Sequence, residues 1–354
     1  MNEKVRLGYA CVNMTLTNRP NKLGGRVTTS RTARKASWQH GSENPKDWDL
    51  SLIGERAVLN ATDLLHYLKW NEDNNIKLFR VGSELVPWHD HFELHELPQY
   101  DELAAKLLEC GNYAREHGHR LTTHPGPFHV LGSPHEHVVE KSIIGLERHS
   151  ELWDLMGYAP SHENKINIHI GGAYGEHETT ATRWIKNYYR LSEACRARLV
   201  VENDDKPSMY SVRQLYDLFH SETGIPITFD YHHHMFHPAG LSEYEALEMA
   251  ASTWPDDVRQ CTHYSECRRH EFQRMFEDKM AKQNIPLNEV NEWPTFAKMK
   301  HDIDKIRMQA HSNYIKDEIR TYDMELDIVV EAKAKELAVL EYRNIYQYNK
   351  KVLL

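Results

Sequence analysis

Ile166-Asn167-Ile168-His169-Ile170-Gly171-Gly172-Ala173-Tyr174-Gly175 joins a short apolar strand, a histidine and a glycine-rich turn. The alternating isoleucines favour a buried strand, and the glycines that follow end it. His169 therefore lies at the carboxyl end of this strand. One such histidine would have little meaning alone. The same arrangement recurs along the chain, however, with an apolar strand ending in histidine, aspartate or glutamate, and the repetition decides the fold.

Eight short strands are predicted, and helical segments lie between most of them. The strands span residues 5–12, 77–82, 120–124, 165–170, 198–202, 226–230, 258–263 and 326–331. Helical apolar spacing covers residues 54–70, 100–117, 142–156, 180–197, 209–223 and 242–253, with a closing helix through residue 340. This alternation predicts a (β/α)8 TIM barrel formed by one domain over residues 1–354. A doubly wound open sheet is the structural alternative, but it would not bring all eight strand ends to one point.

The composition is that of an ordinary globular protein. The chain has 354 residues, of which 40% are hydrophobic and 27% are charged. It shows no secretion signal and no apolar run near the roughly 18 residues of a membrane span, so we expect a cytoplasmic protein without a membrane partner. Five scattered cysteines without a CxxC pair indicate neither a disulfide framework nor a thiolate zinc site. No feature points to an obligate protein partner.

The charge balance also limits the function. A net charge of −9 argues against a generally basic surface that coats nucleic acid, although a local basic groove stays compatible with it. The 24 histidines, together with the acid excess, suit coordination of divalent metals by nitrogen and oxygen.

One segment departs from the strand and helix rhythm. Residues 266–309 are highly charged and lie between the seventh and eighth predicted strands. We predict an inserted, mostly helical segment here. A solvated surface insertion and a flap that contacts substrate are both compatible with the sequence.

Eight acids and imidazoles are expected to meet at the barrel mouth. Seven follow strand ends and the eighth, His311, precedes the last strand; the set is His124, His169, Glu202, Asp230, His233, His263, His311 and Glu331. A single member would usually be a hydrogen-bonded structural residue. Eight together would repel or stay unpaired unless divalent ions neutralised them, and they suffice for two or three ions. We expect Mn²⁺, with Zn²⁺, Mg²⁺ or Fe²⁺ as alternatives.

Closely spaced divalent ions are suited to phosphodiester hydrolysis. They activate water and stabilise both the attacking and the leaving oxygen of an in-line displacement. Two other functions stay open at this point. Barrels with two metals also isomerise sugar phosphates, and a protein can retain metal and bind DNA without catalysis.

Blocks of sequence from residue 8 to residue 336 resemble the UV damage endonuclease family, in family order and over nearly the whole chain. They are Gly8-Tyr9-Ala10-Cys11-Val12-Asn13-Met14-Thr15-Leu16, Arg120-Leu121-Thr122-Thr123-His124-Pro125-Gly126, His169-Ile170-Gly171-Gly172-Ala173-Tyr174-Gly175, Val201-Glu202-Asn203-Asp204-Asp205, Asp230-Tyr231-His232-His233-His234, His263-Tyr264-Ser265, Ala310-His311-Ser312 and Glu331-Ala332-Lys333-Ala334-Lys335-Glu336.

The resemblance implies a metal-dependent barrel nuclease, similar in architecture to endonuclease IV, that nicks damaged double-stranded DNA immediately 5′ to a UV photolesion and leaves a 3′-hydroxyl. Abasic or other distorting lesions are possible further substrates. The family motifs match the eight residues named above as metal ligands, with Glu202, Asp230 and Glu331 as catalytic carboxylates and the first two as candidates for bridging ions.

The resemblance also implies contacts with DNA. Tyr9 and Asn13 match family positions near the lesion and the scissile phosphate, although packing in the barrel core is an equal expectation for strand residues. Lys333 could meet a phosphate, or it could be a solvated lysine on a helix face.

Two positions depart from the family pattern. Pro127 and Phe128 stand where the family usually has Gln-Tyr, a pair that enters the duplex opposite the damage. Phe128 can still wedge and stack between bases, whereas Pro127 offers no side-chain hydrogen bond. Cys261 stands where family members can carry a carboxylated lysine, so that modification is impossible here. Either a water replaces it or Cys261 is a small inward strand residue; a thiolate that tunes the metals is a further alternative.

Overall fold

Eight parallel strands form the centre of the molecule. The computed structural model describes residues 4–33 and 49–346. The strands are β1 (Val5–Ala10), β2 (Leu78–Val81), β3 (Arg120–Thr123), β4 (Ile166–His169), β5 (Leu199–Glu202), β6 (Ile227–Thr228), β7 (Cys261–Tyr264) and β8 (Leu326–Val330). Their spatial order is β6-β5-β4-β3-β2-β1-β8-β7. An isolated parallel bridge between Asp230 and His263 joins the two ends. The predicted (β/α)8 barrel is therefore confirmed.

Helices surround the strands. They are α1 (Met14–Thr17), α2 (Leu50–Asp73), α3 (Tyr100–Glu116), α4 (Glu136–Leu155), α5 (His177–Tyr188), α6 (Glu193–Arg196), α7 (Val212–Leu215), α8 (Ser221–Thr223), α9 (Tyr231–Phe236), α10 (Glu243–Ala251), α11 (Arg268–Lys282), α12 (Pro294–Asp304) and α13 (Glu336–Tyr346). Short 3₁₀ turns occupy Asn21–Leu23, His89–His91, Leu94–Glu96, His162–Asn164 and Leu287–Glu292, and a π-helical turn occupies Tyr216–His220. None of the helices in the described ranges has the length and apolar character needed to cross a membrane.

Two predicted helices are interrupted. The segment predicted as one helix over 180–197 is α5 and α6, because the Ser192 side chain caps a new helix by accepting from Cys195 N. The helix predicted over 209–223 begins later, where Ser211 and Gln214 form a capping box. It then passes through the π-helical turn before α8. Local capping therefore overrides the continuous apolar spacing at the first of these sites and sets the start of the second.

Residue alternation along the strands separates two apolar regions. The larger one packs between strands and helices and includes Tyr9 and Phe79. A smaller one includes Ala10, Leu78, Val200, Cys261 and Val329, which share the opposite strand face and so line the barrel interior. The interior is tight at Gly8, where an added Cβ would lie 2.1 Å from the carbonyl oxygen of Leu78.

Ion pairs occupy the amino-terminal part of the barrel interior. The Asp327 carboxylate accepts from Arg6 Nε at 2.6 Å and from Arg120 Nη1 at 2.8 Å. Asp327 and Arg120 are both buried, so each charge needs the other. This pairing closes the amino-terminal end of the barrel. The functional residues converge at the other end, where the strands have their carboxyl termini.

The charged insertion forms a helical unit between β7 and β8, as predicted. Its helices α11 and α12, with the turn Leu287–Glu292, bury a small core of their own: Phe276, Met280, Ile285, Val290, Phe296 and Ile303. Arg274 of α11 pairs with Glu266 and Asp317, which anchors the unit to the segment leading into β8. Whether it contacts substrate stays a prediction.

Candidate metal centre at the barrel mouth

Glu202 occupies the centre of the barrel mouth. It ends β5, where the parallel register sets it beside His169 of β4, and only 1% of the residue is exposed. Its Oε2 lies 3.1 Å from His124 Nε2 and 3.9 Å from His169 Nε2. Its Oε1 lies 3.0 Å from His263 Nδ1 and 3.7 Å from His233 Nδ1. One carboxylate thus contacts or approaches imidazoles from four loops or strand ends.

The expected ligands form three overlapping groups. In each group, one nitrogen or oxygen from every residue lies within 4.8 Å of the others. The groups are His124 with Glu202 and His263, His169 with Glu202 and His233, and Asp230 with His263 and Glu331. His311 lies just outside them, with Nε2 at 3.8 Å from Glu331 Oε2. The structure therefore brings all eight predicted residues to one mouth, and sharing of Glu202 and His263 suits adjacent ions.

Hydrogen bonds behind the imidazoles fix which nitrogen faces the centre. His124 Nδ1 lies 3.1 Å from the Pro125 carbonyl oxygen, and His233 Nδ1 lies 2.9 Å from that of Asn203. A carbonyl only accepts, so both Nδ1 atoms carry the proton and both Nε2 atoms are left as lone-pair donors. His169 Nδ1 faces Asp204 Oδ2 at 3.2 Å, and His311 Nδ1 lies 2.6 Å from Ser265 Oγ, a hydroxyl that can donate or accept.

The electrostatics of the cluster are strongly coupled. Burial opposes ionisation of Glu202, yet His263 and His169 hold its pKa well below the usual range. Burial acts to lower the pKa of His169, but Glu202 and Asp204 raise it to about 10. Burial raises the pKa of Asp230 to about 7 and lowers that of His263 to about 3. Neighbouring groups with pKa values driven this far apart are typical of functional sites.

The cluster is chemically suited to divalent metals. Asp230 Oδ2 and His263 Nδ1 are buried without a hydrogen-bond partner, although each is within the ligand groups. Buried polar atoms are normally hydrogen-bonded, and a divalent ion is a partner that both atoms could share. Imidazole and carboxylate donors without thiolate fit Mn²⁺, Zn²⁺ or Fe²⁺, and the carboxylates alone would suit Mg²⁺.

The loop after β3 presents an aromatic side chain beside this cluster. Phe128 is 83% exposed, and its neighbour Pro127 is exposed too. A cavity of about 200 Å³ lies next to the loop and is lined by Pro127, His129, Ile168 and the two predicted ligands His124 and His169. The loop that carries the exposed Phe128 ring therefore lines the same cavity as two of the predicted metal ligands.

Tyr9 and Asn13 do not reach the surface. Both are fully buried. Tyr9 points outward from β1 because Gly8 and Ala10 take the interior positions, and its hydroxyl donates to Asn71 on α2. Asn13 donates to the Tyr9 hydroxyl and caps α1 by accepting from Leu16 N. Packing and capping therefore account for the positions of both side chains, and their expected contact with the lesion or the phosphate stays a prediction.

Cations at the rim include two that the candidate set omitted. The predicted residue Lys333 is exposed. Arg80, at the end of β2, is bonded to Glu331 inside the mouth. Lys335 is half-buried in a left-handed backbone conformation, with φ of 57°, and burial lowers its pKa. Arg80 lies near the carboxyl end of a strand, as the ligands do, so the sequence pattern could have identified it. Nothing in the sequence indicates that Asp204 lies behind His169.

Cys261 lies below the metal centre. It is buried and packs in the interior apolar cluster with Ala10, Leu78, Val200 and Val329. This position agrees with a small inward strand residue. Cys261 belongs to none of the ligand groups found in the described part of the chain.

Comparisons with known proteins agree on one family. A family model described as UV-endonuclease UvdE matches residues 5–352. A UV-damage endonuclease of Neurospora crassa is 37% identical over 297 residues, which are 74% of this chain and 44% of that protein. One of Schizosaccharomyces pombe is 31% identical over 350 residues, 97% of this chain and 51% of that protein. The chain thus spans about half the length of these relatives. The crystal structure of SacUVDE superposes with a TM-score of 0.73 at 26% identity, over 98% of this chain and 99% of that one.

Proposed function

This chain belongs to the UV-endonuclease UvdE family, and from that premise we propose that it nicks duplex DNA immediately 5′ to UV photolesions and leaves a 3′-hydroxyl. We include abasic and other distorting lesions in the substrate range. The chain would form one barrel unit that carries the insertion at residues 266–309, and a cytoplasmic location of the protein stays a prediction.

The observation that carries the proposal is the position of Glu202. Glu202 belongs to two of the three ligand groups, and its two oxygens lie 3.1 Å from His124 Nε2 and 3.0 Å from His263 Nδ1. Glu202, Asp230 and Glu331 are the proposed catalytic carboxylates. With His124, His169, His233, His263 and His311 they would hold two or three divalent ions, Mn²⁺ first. Such ions activate water and stabilise charge on the attacking and leaving oxygens.

The rim cations would bind the DNA backbone. Arg80 lies inside the mouth and Lys333 lies at its edge. Lys335 is half-buried. Positive charge here offsets the carboxylates and the overall charge of −9 where a phosphate must approach. The guanidinium of Arg80 has the planar fork that suits two phosphate oxygens at once.

The reaction is an in-line displacement at phosphorus. The oxygen of a water bonds to phosphorus as the bond from phosphorus to the 3′-oxygen breaks. The leaving oxygen gains a proton and becomes the 3′-hydroxyl of one fragment. The phosphate stays on the 5′ end of the other fragment, which carries the lesion. The attacking water gives up a proton, which balances the proton gained by the leaving oxygen.

Damage would be selected through deformability. A photolesion stacks and pairs poorly, so the duplex bends and opens there at lower cost than elsewhere. Phe128 is exposed where it can enter the opened stack, in place of the glutamine and tyrosine pair typical of the family. Pro127 cannot add a side-chain hydrogen bond, so we propose selection by stacking and shape rather than by base edges.

The other functions considered from the sequence have no specific support. A sugar-phosphate isomerase would turn over small polyols without binding DNA, and a metal-retaining DNA-binding protein would bind damaged duplexes without cutting them. Family membership favours the nuclease over both.

One experiment separates the three. Purified protein is incubated with Mn²⁺ or EDTA and with end-labelled duplexes that carry a photodimer, an abasic site or no damage. We expect a Mn²⁺-dependent nick directly 5′ to the photodimer whose 3′ end is extended by a polymerase without further processing. Binding without cleavage, or equal cleavage of the undamaged duplex, would contradict the proposal.

A further inference from the structure

A buried polar network lies directly beneath the proposed metal ligands. Lys165 immediately precedes β4 and is fully buried in the barrel interior. Its Nζ lies 2.8 Å from Thr228 Oγ1, 3.3 Å from Asn167 Oδ1 and 3.3 Å from the Cys261 carbonyl oxygen. The amine therefore links β4, β6 and β7, the strands around Glu202.

The network reaches Glu202 through Asn167. The Lys165 ammonium can only donate hydrogen bonds, so the Asn167 atom that faces it must be the side-chain oxygen. This requirement fixes the orientation of the amide. The amide nitrogen of Asn167 is consequently directed away from Lys165, and it donates to Glu202 Oε2. That oxygen is the one nearest His124 and His169. Lys165 thus sets the direction of the donor that holds the shared carboxylate.

The network also reaches His263. Among the five imidazoles of the centre, His263 has the Nδ1 that lies nearest to Glu202 and Glu331, at 3.0 Å and 3.3 Å. Its Nε2 faces Lys165 Nζ at 3.4 Å. The four other rings are backed by oxygen atoms of Pro125, Asp204, Asn203 and Ser265. His263 is thus the one ring of the five whose second nitrogen faces an amine, that of Lys165, instead of an oxygen atom.

A buried ammonium needs a reason to be retained. Burial of a charge without a matched carboxylate is destabilising in general, and an apolar side chain of similar volume often stabilises a fold more. Each of the closest contacts of Lys165 Nζ is to a neutral group. Two of these neutral groups, Asn167 and His263, lead to the metal centre.

We propose that Lys165, acting with Asn167, is a positioning residue that holds Glu202 in the geometry that binds divalent metal. This inference rests on the proposed metal-dependent function. Groups behind metal ligands set ligand orientation, and their loss typically lowers metal affinity or activity by roughly 10- to 100-fold. The same loss of affinity is expected here, in a protein that stays folded.

The test compares Mn²⁺ affinity with stability of the metal-free protein. Lys165→Met keeps the length of the stem and removes the amine. We expect Mn²⁺ binding, measured by isothermal titration calorimetry, to weaken roughly 10- to 100-fold, while near-ultraviolet circular dichroism of the metal-free variant matches wild type. Asn167→Ala should weaken binding similarly. The double variant should lose less than the two single losses combined, because both act through Glu202.

Arg198→Met is the matched control. Arg198 is also fully buried and basic, and its carbonyl oxygen accepts from Ile166 N, the residue after Lys165. Its side chain leaves the barrel toward α4, where it donates to Ser150 and Asp154. We expect a lower melting temperature in the metal-free state and wild-type Mn²⁺ affinity.

The outcomes distinguish the positioning role of Lys165 from the proposed metal-dependent function. Wild-type Mn²⁺ affinity in Lys165→Met would overturn the positioning role alone. If that variant does not fold, wild-type affinity in Asn167→Ala overturns it. No Mn²⁺ binding by the wild-type protein would overturn the proposed metal-dependent function, and this inference with it.

Discussion

Arg80 and Glu331 form an ion pair inside the barrel mouth, with only 12% and 13% of their side chains exposed. Glu331 is also a member of the ligand group with Asp230 and His263. The same carboxylate therefore faces a fixed cation and a proposed metal position. Because the guanidinium cannot lose its proton, it offers a permanent positive charge to whatever anion enters the mouth.

We predict that Arg80→Gln weakens DNA binding more than metal binding. Removal of one phosphate contact should reduce the slope of log affinity against log salt concentration by about 0.9. The measurement is fluorescence anisotropy with a photodimer duplex across a salt series in EDTA. Lys106→Gln on α3 changes the net charge equally at a site paired with Glu109, and should keep the wild-type slope. Equal slopes in all three proteins would exclude Arg80 as a phosphate contact.

The fold and the ligand set were predictable from sequence because both follow from local patterns. Every strand of a barrel ends at the same face, so a list of strand ends is also a list of neighbours in space. His169 and Glu202, for example, come from successive strands and are paired in register. Helix boundaries were less predictable, since Ser192 begins a new helix inside a continuous apolar pattern.

Residues behind the site were not predictable in this way. Asp204, Asn167 and Lys165 act through side-chain directions that the strand pattern alone leaves undetermined. Tyr9 illustrates the same limit, because the sequence does not tell which face of β1 it occupies, and in the structure it turns outward to Asn71. Burial on either side of a strand looks alike in one sequence, and only the packing of the neighbouring helix decides between them.

We predict that Glu202→Gln removes metal and activity together. The substitution keeps the size of the side chain but replaces a charge that faces His124 and His263 with a neutral amide. Nicking of the photodimer duplex should fall by more than the roughly 100-fold limit typical of residues behind the ligands, and the Mn²⁺ content after dialysis should fall too.

Glu266→Gln is the control for this variant. Glu266 is likewise buried, but it accepts from the backbone nitrogens of Lys316 and Asp317 away from the ligand groups. It should lose stability and keep wild-type Mn²⁺ content. Full nicking by Glu202→Gln would remove Glu202 from the catalytic set.

We predict that a buried histidine cluster makes stability fall in acid. The His149 ring on α4 lies 4.6 Å from the His89 ring and 5.9 Å from the His129 ring, between centroids. Burial lowers the pKa of all three below 6.5, and His89 and His129 depress that of His149 further. The charged neighbours have opposing effects, since Asp90 raises the pKa of His89 and His129, while Arg148 lowers that of His89.

The direction follows from proton uptake. Well above pH 6.5 these imidazoles are neutral in both states and contribute no pH dependence. As pH falls below 6.5 the unfolded chain binds protons that the folded protein does not, so the free energy of unfolding falls, by at most about 1.4 kcal/mol per pH unit for each histidine. Urea unfolding in EDTA at pH 7.5, 6.5 and 5.5 should show a shallower decline for His149→Gln than for wild type. Parallel declines would contradict this assignment.

We predict that Phe128→Ala reduces the preference for damaged DNA without changing the fold. Phe128 is 83% exposed, so its loss should leave the melting temperature unchanged. Stacking of one aromatic ring on a base contributes about 1–3 kcal/mol, which corresponds to roughly 5- to 150-fold in affinity for the photodimer duplex. Affinity for undamaged duplex should change little, because the intact stack does not admit the ring. Tyr189→Ala, which removes an exposed ring at the end of α5, should keep both affinities. An equal loss of affinity for damaged and undamaged duplexes would make Phe128 a general DNA contact instead of a sensor of unstacked bases.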